Sequence, residues 1–286
     1  MTTTDDFKAI VNRLRGWGFD IVEYSGCYGR SNGTSWSAGR PEGHVNHHYV
    51  CAMNPDQAYI NSLVDNLAAG STVNWFADVN RRGYLLGTGP MNHSGTGNSS
   101  VLQRVRADQP NYSVAGSAGD MSGNQALAGT ECQHPGDSTP WPQSLLDIMF
   151  AINAAEFLQW GYTANRAINH YAWTNRKIDM SWLGGVSSDQ NGKALVDNVQ
   201  QWMNGTGNTG DGDDNDMADI TDAQMQQIAD KVIASLTKKT VRMNTVDDKT
   251  GKETATDTAF FSAVGLTGTA ANRAAYRASN YYVKTS

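Results

Sequence analysis

Residues 44–53 read HVNHHYVCAM, a short stretch in which Val45, Tyr49 and Val50 surround two adjacent histidines. β-Branched and aromatic residues in such a run predict a β-strand. Successive side chains of a strand point to opposite faces of its sheet, so only one of His47 and His48 can face a given site. The stretch therefore predicts a strand that brings a single histidine to a site on one face.

The segments around this strand alternate between helix-like and strand-like patterns. Four segments have apolar residues at helical spacing, which predicts helices over 6–18, 55–70, 141–160 and 189–203. Short apolar runs predict strands over 19–24, 73–79, 84–87 and 126–132. Residues 163–170 fit a short strand or a helix end, and the polar, glycine-rich residues 91–125 predict a long loop of a kind that is often functional. This alternation predicts an α/β fold.

The bulk composition is that of a globular protein. The chain has 286 residues, of which 39% are hydrophobic, with 8 tryptophans and 11 tyrosines available for a core. Its net charge of −6 argues against a nucleic-acid partner, which would require a basic face. The cysteines Cys27, Cys51 and Cys132 form no CxxC pair, and their wide spacing is typical of reduced thiols in a protein made in a cytoplasm.

The N-terminal residues contain acidic side chains and no long apolar run, which argues against a secretory signal peptide. No stretch approaches the roughly 18 apolar residues of a membrane span, so we expect no stable membrane insertion. A protein of this kind that acts outside the cell would need another route of release.

A composition break near the C-terminus predicts the domain organisation. Residues 204–219 are almost entirely Gly, Asn, Thr and Asp, which predicts a flexible linker between a domain at 1–203 and a region at 220–286. The linker aspartates do not fit a calcium loop, because the glycine and glutamate of the EF-hand pattern are not placed correctly. A helix is predicted over 222–238, as a packing face or a short self-association helix.

Five polar residues have settings that suggest chemistry: His47, Glu131, His170, Lys177 and Asp179. His170 and Asp179 lie in one short segment, HYAWTNRKID, and could both reach a metal ion. A third ligand from a distant strand would leave one position of a zinc ion for water, which is the catalytic pattern. The structural alternative is that Asp179 caps a turn and His170 is merely buried.

Glu131 and Lys177 each allow two interpretations. Glu131 follows the apolar stretch ALAGT, where a carboxylate is costly to bury without a partner. In the ordinary case Glu131 forms an ion pair with an arginine. In the functional case Glu131 is a general base beside a metal ion. Lys177 is either a surface charge or a cation that stabilises a tetrahedral oxyanion.

Four segments, in this order, resemble the type 2 N-acetylmuramoyl-L-alanine amidases, which share their fold with peptidoglycan-recognition proteins and include many phage endolysins. HVNHHYV resembles the first-ligand strand of this family, and MNHSGTGN resembles its His-Ala-Gly segment. AGTECQ resembles the strand with the catalytic glutamate, and INHYAWTNRKID resembles the closing ligand segment. The resemblance covers roughly residues 5–203, and the ordered set is more specific than any one segment.

The resemblance implies a central mixed β-sheet flanked by α-helices, followed here by a C-terminal helical extension. It implies a Zn²⁺ ion held by three ligands: His47, His170 and Asp179. Glu131 matches the family's general base, Lys177 matches the residue that steadies the transition state, and His93 matches a pocket histidine with a structural or substrate-facing role.

The implied partner is bacterial peptidoglycan, cut at the amide between N-acetylmuramic acid and L-alanine. The implied context is a phage lysis enzyme that is made in the host cytoplasm and reaches the wall after release, with residues 220–286 binding wall or driving self-association. The chain departs from the family at Met180, where proline is usual, and in the length of the 91–125 segment. These departures leave the details of the substrate open.

Two other functions are compatible with the residues. The first is a peptidoglycan-binding module of the same fold without catalysis. The second is a cysteine-dependent wall amidase or peptidase that uses Cys27 or Cys132, although no familiar cysteine-protease signature surrounds either. A serine hydrolase is disfavoured because the sequence contains no G-x-S-x-G motif.

Overall fold

The computed structural model describes residues 2–182 and 187–207, together with the backbone of two strands at 240–246 and 253–259. The chain divides into two compact units, residues 1–211 and residues 212–286.

Eight strands lie in the described part of the first unit. They are β1 (Asp20–Glu23), β2 (Gly43–Val50), β3 (Trp75–Ala77), β4 (Arg82–Leu85), β5 (Thr96–Gly97), β6 (Met121–Ser122), β7 (Leu127–His134) and β8 (Ala167–Asn169). Six of these strands form one sheet in the order β1-β4-β3-β7-β2-β8, and β5 pairs with β6 separately. Within the large sheet, β3 and β4 are antiparallel and the other neighbouring strands are parallel, so the sheet is mixed, as predicted.

Six helices accompany these strands in the described residues of this unit. They are α1 (Thr3–Gly16), α2 (Gln57–Ala69), α3 (Ser99–Arg106), α4 (Gln143–Trp160), α5 (His170–Trp173) and α6 (Asp189–Met203). Helix α4 is buried along most of its length, and its apolar residues share one core with those of α1 and α6. The predicted α/β class, with helices flanking a central mixed sheet, is confirmed.

Alternation along β3 shows how the two faces of the sheet are covered. Trp75 and Ala77 belong to the core that contains α1, α4 and α6, whereas Phe76 packs with apolar residues of α2. Because successive strand residues point to opposite faces, these cores lie on opposite sides of the sheet. All three residues of β3 are fully buried, so this strand is covered on both faces.

The structure corrects one predicted helix boundary and one segment that was predicted as a loop. Helix α1 begins at Thr3, before the predicted residue 6, because Thr2 and Asp5 form a reciprocal capping box. The segment 91–125, predicted as a loop, contains α3 and the β5-β6 pair. Asn98 caps α3, which buries Val101, Leu102 and Val105 although it has only eight residues. So short a helix gives little periodic signal in a sequence.

The second unit contains two described strands, β9 (Thr240–Val246) and β10 (Glu253–Ala259), which pair antiparallel. The helix predicted over 222–238 lies outside the described residues, as does most of the predicted linker. None of the helices in the described part of the chain has the length and apolar character that a membrane crossing requires.

Candidate metal centre

Strand order brings the two predicted histidine ligands together. His47 lies in β2, and β8 is hydrogen-bonded beside it with Asn46 opposite Asn169. The next residue on each strand is a histidine, since His170 begins α5 directly after β8. Both side chains are buried, each with about 2% of its residue surface exposed.

The third predicted ligand reaches the same place from the loop after α5. The carbonyl of Asp179 accepts a hydrogen bond of 2.7 Å from the backbone N–H of Tyr171, which folds the loop back onto the start of the helix. The Asp179 side chain consequently points at both histidines and is itself buried.

Three atoms of these residues form a nearly equilateral triangle. The His47 and His170 Nδ1 atoms lie 2.9 Å apart, and Asp179 Oδ2 lies 3.1 Å from the first and 2.9 Å from the second. Tetrahedral ligands at about 2.0–2.2 Å from zinc are roughly 3.3–3.6 Å apart. The triangle is therefore close in size to one face of a tetrahedral site, and the three residues form a group that could hold a metal ion.

The electrostatics give this group the charge that a divalent cation requires. Burial, and next the proximity of His170, lower the pKa of His47 to about 3, so its imidazole is neutral at pH 7. Burial opposes ionisation of Asp179, but the two imidazoles beside it hold the pKa of this carboxyl well below its usual range. A neutral imidazole and a carboxylate are the protonation states in which these residues bind metals.

Glu131 lies next to the triangle on the neighbouring strand. It stands opposite His47 in the parallel β2-β7 pair, so both side chains project from the same face of the sheet. Its Oε2 atom is buried without a hydrogen-bond partner, and no arginine forms an ion pair with it among the described residues. Burial and the charge of Asp179 raise the pKa of Glu131 to about 8, although the nearby Lys177 lowers it.

A cavity of about 360 Å³ adjoins the ligand triangle on the side of His170. Its lining includes His93, Thr174, Arg176 and the predicted oxyanion partner Lys177. Lys177 is exposed to solvent, whereas the ligand atoms are not. One residue of the metal group, His170, and a cationic side chain, Lys177, thus line the same opening.

The remaining predicted residue, His93, lies in the cavity wall and contacts a ligand directly. Its Nδ1 is 3.0 Å from His47 Nε2, and its Nε2 is 2.9 Å from the carbonyl oxygen of Leu127. His48, the neighbour of His47, packs near Gly136 and takes no part in the triangle. A substrate-facing role for His93 stays a prediction.

Sequence reasoning missed the backbone groups and the glycine that position these side chains. The carbonyls of Ser94 and Leu127 accept from His170 and His93, and a carbonyl leaves no signature in a sequence. Gly129 could have been singled out, because a glycine inside a strand marks a close approach of other atoms. Its place within the segment AGTECQ gave that hint.

Comparison with known proteins adds no assignment. The chain matches none of the protein-family models and no curated protein.

Proposed function

We propose that the chain is a zinc-dependent hydrolase of the type 2 N-acetylmuramoyl-L-alanine amidase class, which cuts the amide between N-acetylmuramic acid and L-alanine in bacterial peptidoglycan. One observation carries the proposal: the side chains of two histidines and an aspartate converge within 3.1 Å, beside Glu131, whose Oε2 atom is buried without a hydrogen-bond partner among the described residues. In this proposal the protein acts on the wall after release from a host cytoplasm.

Zinc fits the residues better than calcium or magnesium would. Imidazole nitrogen is a preferred zinc ligand, whereas calcium and magnesium are bound by oxygen atoms. His47, His170 and Asp179 would hold the ion through three atoms and leave a further position open. When bound, zinc supplies Lewis-acid chemistry, since it lowers the pKa of coordinated water and polarises a carbonyl group.

Glu131 is the proton carrier in this proposal. Its Oε2 has no hydrogen-bond partner among the described residues, so in this proposal it takes a proton from the attacking water and delivers it to the leaving amine nitrogen. A pKa of about 8 lies near neutral pH, where a carboxyl group can perform both transfers.

Lys177 is the group that meets the developing negative charge. It lines the cavity beside His170, and its charge is felt by Glu131. A cation in this place stabilises the oxyanion that forms when water adds to the amide carbonyl. Arg176 lines the same cavity, but its guanidinium donates to the Thr96 carbonyl.

The thiols give less support to a cysteine-dependent peptidase. Cys27 and Cys132 are buried, and burial raises the pKa of both, that of Cys132 well above its ordinary value. A catalytic cysteine needs the opposite, a lowered pKa that populates the thiolate.

Digestion of purified peptidoglycan, with and without a chelator, tests the proposal. We expect free stem peptides that begin with L-alanine, identified by mass spectrometry, which disappear on chelation and return when zinc is added. The Glu131→Gln variant should bind zinc without forming product. A matched control is Glu23→Gln, because Glu23 lies in β1 at the edge of the sheet and pairs with Arg15.

Three other results would contradict the proposal in different ways. Cleaved glycan strands or cross-bridges would leave a wall hydrolase of another specificity. Sedimentation with the wall without any product would indicate a binding module. Activity that resists the chelator but is lost on thiol alkylation would favour the cysteine peptidase.

A further inference from the structure

A chain of hydrogen bonds leads from a backbone carbonyl to the first proposed metal ligand. The Leu127 carbonyl oxygen lies 2.9 Å from Nε2 of His93. A carbonyl oxygen only accepts hydrogen bonds, so Nε2 of His93 must carry a proton. In a neutral imidazole the other nitrogen, Nδ1, then has a free lone pair and is an acceptor.

The tautomer of His93 in turn determines that of His47. Nδ1 of His93, as an acceptor, lies 3.0 Å from Nε2 of His47, which must therefore donate its proton there. The lone pair of His47 is consequently on Nδ1, the atom that belongs to the ligand triangle.

The second histidine ligand is oriented in the same way by the residue after His93. Nε2 of His170 lies 3.2 Å from the carbonyl oxygen of Ser94 and donates its proton to it. The lone pair of His170 is then also on Nδ1. In this tautomer the Nδ1 atoms of both imidazoles and Oδ2 of Asp179 lie 2.9–3.1 Å from one another, an arrangement that a cation would stabilise.

The His93 ring lies against Gly129 of β7, in the space that a side chain at this position would occupy. A Cβ atom at Gly129 would come within 2.5 Å of Nδ1 and 2.6 Å of Cε1 of His93. The backbone of Gly129 has no positive φ that would require glycine for conformational reasons. The absent side chain therefore makes room for the ring, which is independent support for a built position.

We infer that His93 is a positioning residue, which fixes the proton of His47 on Nε2 and so directs the Nδ1 lone pair of His47 into the metal site. The ring of His93 packs against Gly129, which has no side chain to displace it. The inference rests on the metal site of the proposed function, but not on the substrate. Hydrogen-bond partners of this kind raise metal affinity because the ligand is held in its binding tautomer and orientation.

Three variants of the full chain separate hydrogen bonding from packing. His93→Gln keeps an acceptor for His47 and a donor for the Leu127 carbonyl, whereas His93→Leu has neither. Gly129→Ala keeps the imidazole but displaces it. A matched control is His134→Leu, because His134 is also fully buried and also bonds a carbonyl, that of Thr139, but has no contact with the ligand triangle.

Two measurements read out the effect. The zinc dissociation constant is measured by competition with a chromophoric chelator, and the histidine tautomers are measured by ¹⁵N NMR of the metal-free protein. We expect His93→Leu and Gly129→Ala to weaken zinc binding by about 10- to 100-fold. His93→Gln should recover most of that loss, and the control should bind like the wild type. In the wild type, the ¹⁵N shifts should show the proton of His47, His93 and His170 on Nε2.

Several results would overturn the inference. One is a His93→Leu protein that binds zinc like the wild type, and another is a folded His93→Gln protein that loses as much affinity as the leucine variant. Should His93→Leu not fold, the ¹⁵N spectrum of the wild type decides, since a proton on Nδ1 of His47 contradicts the relay. A wild-type protein that has the expected tautomers but binds no zinc would instead refute the proposed function and leave the relay intact.

Discussion

Replacement of Glu131 by glutamine should remove part of the pH dependence of the free energy of unfolding in the metal-free protein. The pKa of this carboxyl is raised from 4.5 to about 8, first by burial and then by Asp179. Below pH ~4.5 the group is protonated in both the folded and the unfolded chain. As the pH rises towards 8, only the unfolded chain loses its proton, so the free energy of unfolding falls.

The size of this effect follows from the change in pKa. A rise from 4.5 to about 8, at about 1.4 kcal/mol for each tenfold change in the equilibrium constant, sets an upper limit of about 5 kcal/mol. Glu131 is partly exposed, so solvent reduces the penalty, and we expect about 2–4 kcal/mol. Glutamine has nearly the same shape and does not ionise. The variant should match the wild type near pH 4 and exceed its stability near pH 9.

Urea unfolding between pH 4 and 9, in the presence of a chelator, measures this difference. All 8 tryptophans lie in residues 1–211, so their fluorescence reports the first unit alone. Glu42→Gln is the matched control with the opposite sign, because the Arg106 guanidinium holds the pKa of Glu42 below its ordinary value in spite of burial. That control should lose stability at pH 7 and recover on acidification. Parallel curves for Glu131→Gln and the wild type across the whole range would refute the reasoning.

Three further predictions concern the metal, the cation and the packing of the site. Zinc at 100 times its dissociation constant should stabilise the chelated protein by about 2.7 kcal/mol, seen as a higher Tm, whereas an unchanged Tm would mean that the folded protein binds no zinc. Lys177→Ala should lower kcat on peptidoglycan by about 10²- to 10³-fold with little change in KM, because its charge acts on the transition state. Lys193→Ala, which removes an exposed partner of Asp197, should leave kcat unchanged, and equal losses in both variants would disprove the role. Gly97→Ala should cost about 1–3 kcal/mol in urea unfolding, because its Cβ would come within 2.0 Å of the Trp173 ring. Gly116→Ala has no atom within 4 Å and should be neutral, so a neutral Gly97→Ala would show that the ring moves freely.

The elements that could be predicted from sequence are those with a long periodic pattern. Helix α6 has the predicted bounds of 189 and 203, because Leu195, Val199 and Trp202 recur at helical spacing and the Ser188 side chain caps its start. Helix α3 and the two-residue strands β5 and β6 were not predicted. Their stability comes from caps and tertiary packing, which short polar segments do not reveal.

In the candidate site, the identity of the residues could be predicted from the sequence, but their protonation could not. The order of four short segments was enough to select the residues of the ligand triangle and the neighbouring Glu131. The proton positions could not be predicted, because they depend on the carbonyls of Leu127 and Ser94. The raised pKa of Glu131 likewise depends on burial and on the charge of Asp179, which only the packed structure brings beside it.

The register of β2 and β7 divides the site into a rigid half and an adjustable half. His47 and Glu131 are adjacent across one pair of parallel strands, so backbone hydrogen bonds inside the sheet set their separation. Asp179, Lys177 and Arg176 follow α5 and lie outside the hydrogen-bonded sheet. We therefore expect the distance between the first ligand and the proton carrier to be fixed by the sheet, and substitutions that alter the choice of substrate to fall on the cavity residues Thr174 and Arg176.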